Sequence, residues 1–208
     1  MNNILLLASD NLIGDSCVSF LKKDNFKTTS MALKSVLKYL VNEQGANELA
    51  SIINQHDVVI LLMPMTQTEL KDKTGHKQRS IITQAVVDKM RQLKKERLII
   101  LTDVGVGESE LYQSSLANWL WKKHRPQWLI EEFERQEIIL EYSYLEWTVV
   151  RPVNIKSSEH NDYECSDLLK TGVFDSVSEQ AIAKCIVDQL KTDRYTKRSI
   201  TVKETLFK

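Results

Sequence analysis

Charge of one sign is what this chain most plainly lacks: 28 Lys and Arg residues are balanced by 28 Asp and Glu. With no net field, the molecule as a whole draws in neither nucleic acid nor an anionic membrane. Proline is scarce, with three in 208 residues, and there is no low-complexity linker or internal repeat. Residues 1–208 therefore read as one domain, large enough to bury a core without disulfides or metals. The three cysteines, Cys17, Cys165 and Cys185, are odd in number and far apart. Cys17 and Cys185 fall on the apolar faces of expected helices, which suits small buried side chains in a reducing cytosol. The histidines (His56, His76, His124, His160) have no ligand spacing, so no metal site is expected. Long apolar runs are also missing: none approaches the roughly 18 residues that span a bilayer. The first apolar run has no basic lead and is too short for a signal peptide. The expectation is a soluble, cytoplasmic protein with no membrane or nucleic-acid partner. The basic run Lys122-Lys123-His124-Arg125 reads as a solvated face, since it lacks the stacking aromatics of a nucleic-acid module.

What is present is an alternation of short apolar strands with amphipathic helices. Ile4-Leu5-Leu6-Leu7 reads as a buried strand, and Leu12, Ile13, Cys17, Phe20 and Leu21 follow at helical spacing. Residues 26–31 read as a second strand, while 38–41 fit a short strand or a helix equally well. A helix over 47–54 precedes a clear strand over 57–62. After a polar loop holding Thr74-Gly75-His76, a helix carries Ile82, Ala85, Val86, Met90 and Leu93 on one face. Leu98-Ile99-Ile100-Leu101 is the next strand, ending at Thr102-Asp103. A long segment rich in Trp, Gly and Ser leads to a helix over about 128–141. A strand at 147–150, a helix carrying Ile182, Cys185, Ile186 and Leu190, and a strand at 199–202 complete the order.

Strands apolar on both faces, separated by helices, imply a mainly parallel sheet covered on both sides. The fold expected is α/β, doubly wound and Rossmann-like, with right-handed crossovers. Ligands in such sheets lie at the carboxyl ends of the strands near the switch point. That rule gathers residues 8–14, Met63-Pro64-Met65, Thr102-Asp103 and Pro152-Val153 around one crevice. The turn at 8–14 stands where a dinucleotide-binding protein carries its glycine-rich phosphate loop, yet only Gly14 of that pattern is present.

With those segments in hand, the chain resembles the atypical short-chain dehydrogenase/reductase superfamily. Within it the likeness is to the small NmrA-like and flavin reductase/biliverdin reductase B-like proteins. Residues 134–140, followed by Leu145-Glu146-Trp147-Thr148-Val149-Val150-Arg151-Pro152, resemble that family's late helix and strand. Residues 97–107, with Arg97 before the strand and Gly105 and Gly107 after it, resemble its central strand and glycine turn. Val177-Ser178-Glu179-Gln180-Ala181-Ile182-Ala183 is similar to its last helix start. The sequence departs from the pattern at Ala8 and Asn11, which replace two loop glycines. It departs again at Gln44-Gly45-Ala46, which lacks an adenine-side acid, and at Phe133. No Tyr-x-x-x-Lys pair occupies the catalytic position.

The resemblance implies a cofactor held by Ser9, Asp10, Asn11, Leu12, Ile13, Lys34, Met63, Thr102, Pro152 and Val153. Lys34, past the second strand, favours the 2′-phosphate of NADP over NAD. Asn11 tolerates a positive φ and is expected to preserve the turn, with Asp10 read either as a helix cap or as a charge opposing the ligand. Thr102 is the candidate catalytic residue, orienting a small molecule that water or the substrate itself protonates. Asp103 reads better as a turn-forming Asp than as an acid. Trp119, Trp121 and Trp128 lie where substrate specificity resides in that family, with core packing of one or two of them the default. The implied activity is NADPH-dependent reduction of a small molecule. The alternative is a non-catalytic dinucleotide sensor or a protein-interaction scaffold, the latter with no cofactor. The sequence leaves the substrate, the protein partner and the oligomeric state open.

Overall fold

The computed structural model of the protein describes residues 3–72 and 78–205, so the expected loop around Thr74-Gly75-His76 lies outside the described residues. Strand β1 (Asn3–Leu7) leads through α1 (Leu12–Lys23) to β2 (Lys27–Met31). Two helices follow, α2 (Leu33–Tyr39) and α3 (Glu43–Asn54), then β3 (Val58–Leu61). Residues 38–41 thus take the helical option, as the end of α2. Asn42 caps α3 by accepting the Gly45 N–H at 2.8 Å, which starts that helix four residues earlier than its apolar periodicity suggests. Gln44-Gly45-Ala46 lie in this first turn. A Cβ on Gly45 would fall 2.8 Å from the Tyr39 carbonyl, so only glycine lets α2 and α3 approach this closely.

The short α4 (Gln67–Lys71) and α5 (Gln78–Gln92) precede β4 (Arg97–Leu101). The Trp-rich segment then forms a 3-10 turn at Gly107–Tyr112 and α6 (Ser115–His124). Next come α7 (Gln127–Glu141) and β5 (Glu146–Pro152). β6 (Asn154–Lys156), β7 (Tyr163–Ser166) and β8 (Ser176–Ser178) are short strands, before α8 (Glu179–Asp188) and β9 (Arg198–Glu204). Ser178 caps α8 by accepting the Ala181 N–H at 2.9 Å, which accounts for the Val177-Ser178 helix start.

The main sheet has the order β2-β1-β3-β4-β5-β9-β7, and β6 pairs with β8 separately. All its neighbours are parallel except β7, which runs antiparallel along β9. This is the doubly wound, Rossmann-like α/β architecture read from the alternation of elements. Successive side chains of the central strands enter opposite cores. Ile4, Leu6, Ile60, Ile99, Val150 and Ile200 pack with α1 and α8. Leu5, Leu7, Val59, Leu61, Leu98 and Ile100 pack with α3 and α5. Both sets are fully buried, each side chain contributing about 1.5–3 kcal/mol, and this is why the strands read as unbroken apolar runs.

The order reverses between β1 and β3, because β2 lies on one side of β1 and the later strands on the other. The connections leave in opposite directions there and a crevice opens beyond the carboxyl ends of β1 and β3. No helix among the described residues is long and apolar enough to cross a membrane.

Candidate functional site

At the switch point a cavity of about 390 Å³ is lined by Ala8, Asp10, Asn11, Leu33, Met63 and Arg79, among others. The turn above it is built differently from the sequence expectation. Asn11 is extended, with φ −155°, and the positive φ falls on Ala8, at +54°. Asn11 is instead the cap of α1: its Oδ1 accepts the Gly14 N–H at 3.0 Å and its Nδ2 donates to the Ala8 carbonyl at 2.9 Å. The amide folds back onto its own loop because a short polar side chain satisfies a helix start more readily than it stands free. Gly14 is needed for contact, since a Cβ there would lie 2.0 Å from the Ser9 carbonyl oxygen. Ser9 itself is anchored to β2, its N–H and hydroxyl both donating to the Met31 carbonyl, at 3.0 and 3.2 Å.

Asp10 does not cap α1. Its Oδ1 accepts the N–H of Leu33, the first residue of α2, at 2.7 Å. A carboxylate therefore holds the amide at the end of β2, and Lys34, next in sequence, stands exposed in solvent outside the cavity lining. In the first turn of α1 the Gly14 and Asp15 amides are taken by Asn11, whereas those of Leu12 and Ile13 make no hydrogen bond among the described residues. Two free amides at the start of a 12-residue helix, directly after the cavity-lining Asn11, are the feature that fits a phosphate group.

Met63 closes the cavity floor from the end of β3. The carbonyls of Met63 and Pro64 accept from the Arg79 guanidinium, which also pairs with Glu69 and lies 4.7 Å over the Phe133 ring. Phe133 is fully buried beneath this cation. Arg79 and Glu69 were missed in the sequence. The signal for Arg79 was a charged residue on an otherwise apolar helical face, and for Glu69 the Thr66-x-x-Glu69 capping box.

A second cavity, of about 270 Å³, lies where β4 and β5 end and is lined by Met65, Thr102, Asp103, Pro152 and Val153 among others. Thr102 is buried, and its hydroxyl donates to Glu137 Oε1 at 2.8 Å. Glu137 is held in turn by Arg151, whose Nε donates to Oε1 at 2.9 Å and whose Nη2 donates to Oε2. Thr102 thus keeps only acceptor capacity toward a ligand. The buried pair between α7 and β5 fixes its hydroxyl. Gly107 completes the packing, since its φ is +54° and a Cβ there would stand 3.1 Å from the Arg151 guanidinium.

Asp103 is committed on both oxygens: Oδ1 accepts the Val104 N–H at 2.9 Å and Oδ2 accepts Arg125 Nε at 2.8 Å. Burial lifts its carboxyl above the ordinary range, and the adjacent Arg125 opposes that rise. Of the tryptophans, Trp121 is buried, Trp128 is half-buried with its indole N–H on the Asp72 carbonyl, and Trp119 is exposed beneath the Lys123 ammonium. The structure so brings residues 8–14, Met63, Thr102, Pro152 and Val153 to one edge of the sheet. No cluster of metal-ligating side chains occurs among the described residues.

A profile of the NAD(P)H-binding family matches residues 18–193. The chain belongs to the NAD(P)H-binding family. That match begins inside α1, past the altered turn. A search of curated proteins gave no sequence match. Among solved structures, the chain is similar to a short-chain dehydrogenase/reductase from Veillonella parvula in complex with NADP. That likeness has TM-score 0.73 and 14% identity, covering 98% of this chain and 94% of that one. It is similar also to ChuY, an anaerobillin reductase from Escherichia coli, with TM-score 0.72 and 14% identity, covering 99% and 98%. A Rossmann-fold NAD(P)-binding family protein from Shigella flexneri matches with TM-score 0.67 and 18% identity over 100% of both chains. At such identities the likeness establishes the fold.

Proposed function

We propose that this member of the NAD(P)H-binding family holds NADP(H) along the edge of the sheet and reduces a small molecule at the ends of β4 and β5. The uncommitted Leu12 and Ile13 amides, which directly follow the cavity-lining Asn11, carry the reading. The structures with NADP and with anaerobillin reductase activity give it support by analogy. Asp10, Asn11 and Met63 frame the adenosine side, and Ser9 fixes the turn to β2. Lys34 is free to meet a 2′-phosphate and favours NADP over NAD. Pro152 and Val153 form the apolar wall against a nicotinamide ring. When bound, NADPH supplies a hydride to a flat or carbonyl-bearing substrate.

The chain's own contribution is positional. Thr102, its proton committed to Glu137, presents lone pairs that orient a donor on the substrate or the nicotinamide carboxamide. Asp103 is tied to Arg125 and Val104, so the proton that follows the hydride comes from water or the substrate. A cytoplasmic site of action fits this cofactor and the buried thiol Cys17.

A second reading, a dinucleotide sensor without turnover or a protein-interaction scaffold, is favoured by three observations. These are the strained Ala8 at the first-glycine position, the Asp10 charge, and the absence of a free acid beside Thr102. The discriminating experiment is NADPH oxidation followed with flavins, quinones and conjugated carbonyl compounds. Substrate-dependent oxidation supports the reductase. Saturable NADPH binding with no oxidation by any of these classes supports the sensor.

A further inference from the structure

A third cavity, of about 340 Å³, adjoins the β4–β5 edge beneath α6 and is lined by Gln113, Trp121, His124, Arg125, Asn154 and Thr171 among others. We propose that this cavity binds a small planar carboxylate, gripped by the terminal nitrogens of Arg125. The idea deepens the reductase reading by naming its substrate class, and for that chemical role it rests on that reading.

Arg125 is built as a receptor. Its Nε is fixed on Asp103 Oδ2 at 2.8 Å, and its Cζ lies 4.6 Å from the Trp121 ring centroid. Nη1 and Nη2 have no partner among the described residues, which leaves two coplanar donors of the spacing that a carboxylate accepts. The guanidinium is already desolvated on one face and held in one orientation, so little ordering remains to be done when an anion arrives. The cavity lining contains no Asp or Glu, and its only other ionisable side chain is His124.

The wall carries further unmet hydrogen-bonding capacity. Gln113 Oε1, Trp121 Nε1 and Thr171 Oγ1 are buried without a partner, and Trp121 and Thr171 are themselves more than nine-tenths buried. A parallel bridge sets Gln113 beside Thr171. These three atoms are shut off from solvent, so the direct polar contact offered to a ligand in the cavity is the Arg125 fork. The wall is closely fitted as well: a Cβ on Gly105, whose φ is +80°, would lie 2.8 Å from the Trp121 ring. Arg125, His124, Val153 and Asn154 line this cavity and the one beside Thr102 alike. A carboxylate on Arg125 therefore lays the body of its carrier along Trp121 and toward the expected nicotinamide position. The volume is at the small end of ligand cavities and suits a compact one- or two-ring molecule.

The test is a calorimetric titration of the cofactor-free protein with benzoate and with its neutral counterpart benzamide. Benzoate is expected to bind saturably and benzamide at least about tenfold more weakly. Arg125→Lys, which keeps the charge and loses the fork, is expected to weaken benzoate about tenfold. Val173→Trp fills the cavity without touching the ion pair and is expected to abolish binding while the melting temperature shows the fold intact. Equal affinity for the two probes, no saturable benzoate binding, or undiminished affinity in Val173→Trp overturns the proposal. No nucleotide is present in these titrations, so failure of the reductase reading leaves their outcome legible, and the converse also holds.

Discussion

Ala8 is the residue at which the altered turn is most sharply defined. A non-glycine residue at φ +54° carries roughly 1–2 kcal/mol of backbone strain, because its Cβ crowds the adjoining peptide. Ala8→Gly is therefore expected to raise stability by about 1 kcal/mol, read from the urea midpoint, and to tighten NADPH binding. The sequence reading assigned the unusual backbone of this loop to Asn11, whereas it falls on Ala8. Residue preference favours Asn in left-handed positions, yet the need to cap α1 at Gly14 is met only from an extended Asn11. Asp103 gives a pH prediction at the same scale. Its folded pKa is raised above the ordinary 3.8, so the stability it contributes is complete below about pH 4 and is lost as pH rises through the folded value. The stability of the wild type minus that of Asp103→Asn should fall as pH rises above about 4 in urea unfolding at stepped pH. A difference that grows with pH would mean that the Arg125 pair outweighs burial.

Among the elements, the strands β1, β3, β4 and β5 and the helices α1, α5, α7 and α8 were legible because each buries an apolar face that repeats at the period of its own geometry. Of the elements that lack such a face, β2 was read at residues 26–31, whereas α6 and the short strands β6, β7 and β8 were not. The segment Tyr163–Ser166 is an antiparallel edge strand whose residues are exposed or half-buried, and α6 presents Trp121 inward but Leu116 and Trp119 to solvent. The Glu137–Arg151 pair was invisible for a related reason. A buried carboxylate in α7 and a buried guanidinium in β5 each look like ordinary polar positions until the fold sets them together beneath Thr102. At the β1–α1–α2 junction, Asp10 and Lys34 bring opposite charges to one edge of the crevice. Lys34→Glu is expected to weaken NADPH several-fold more than NADH in competitive titrations. An equal loss for the two nucleotides would remove Lys34 from the 2′-phosphate.

Across the whole molecule, the sheet order places the reversal between β1 and β3, and three cavities follow the carboxyl edge from that reversal to α6. The architecture was readable from alternation alone, since βα units with strands apolar on both faces have few other ways to pack. The site was readable only as a line of loops. Which side chains turn toward the crevice and which toward each other depends on contacts between residues far apart in sequence, as for Asp10 with Leu33 and Asp103 with Arg125. The central claim is that this edge still binds a nicotinamide dinucleotide despite the two replaced glycines. It is tested most directly by calorimetric titration of the purified protein with NADPH and then NADH. The account predicts saturable binding at micromolar nucleotide, tighter for NADPH. No heat of binding with either nucleotide at millimolar concentration would contradict it.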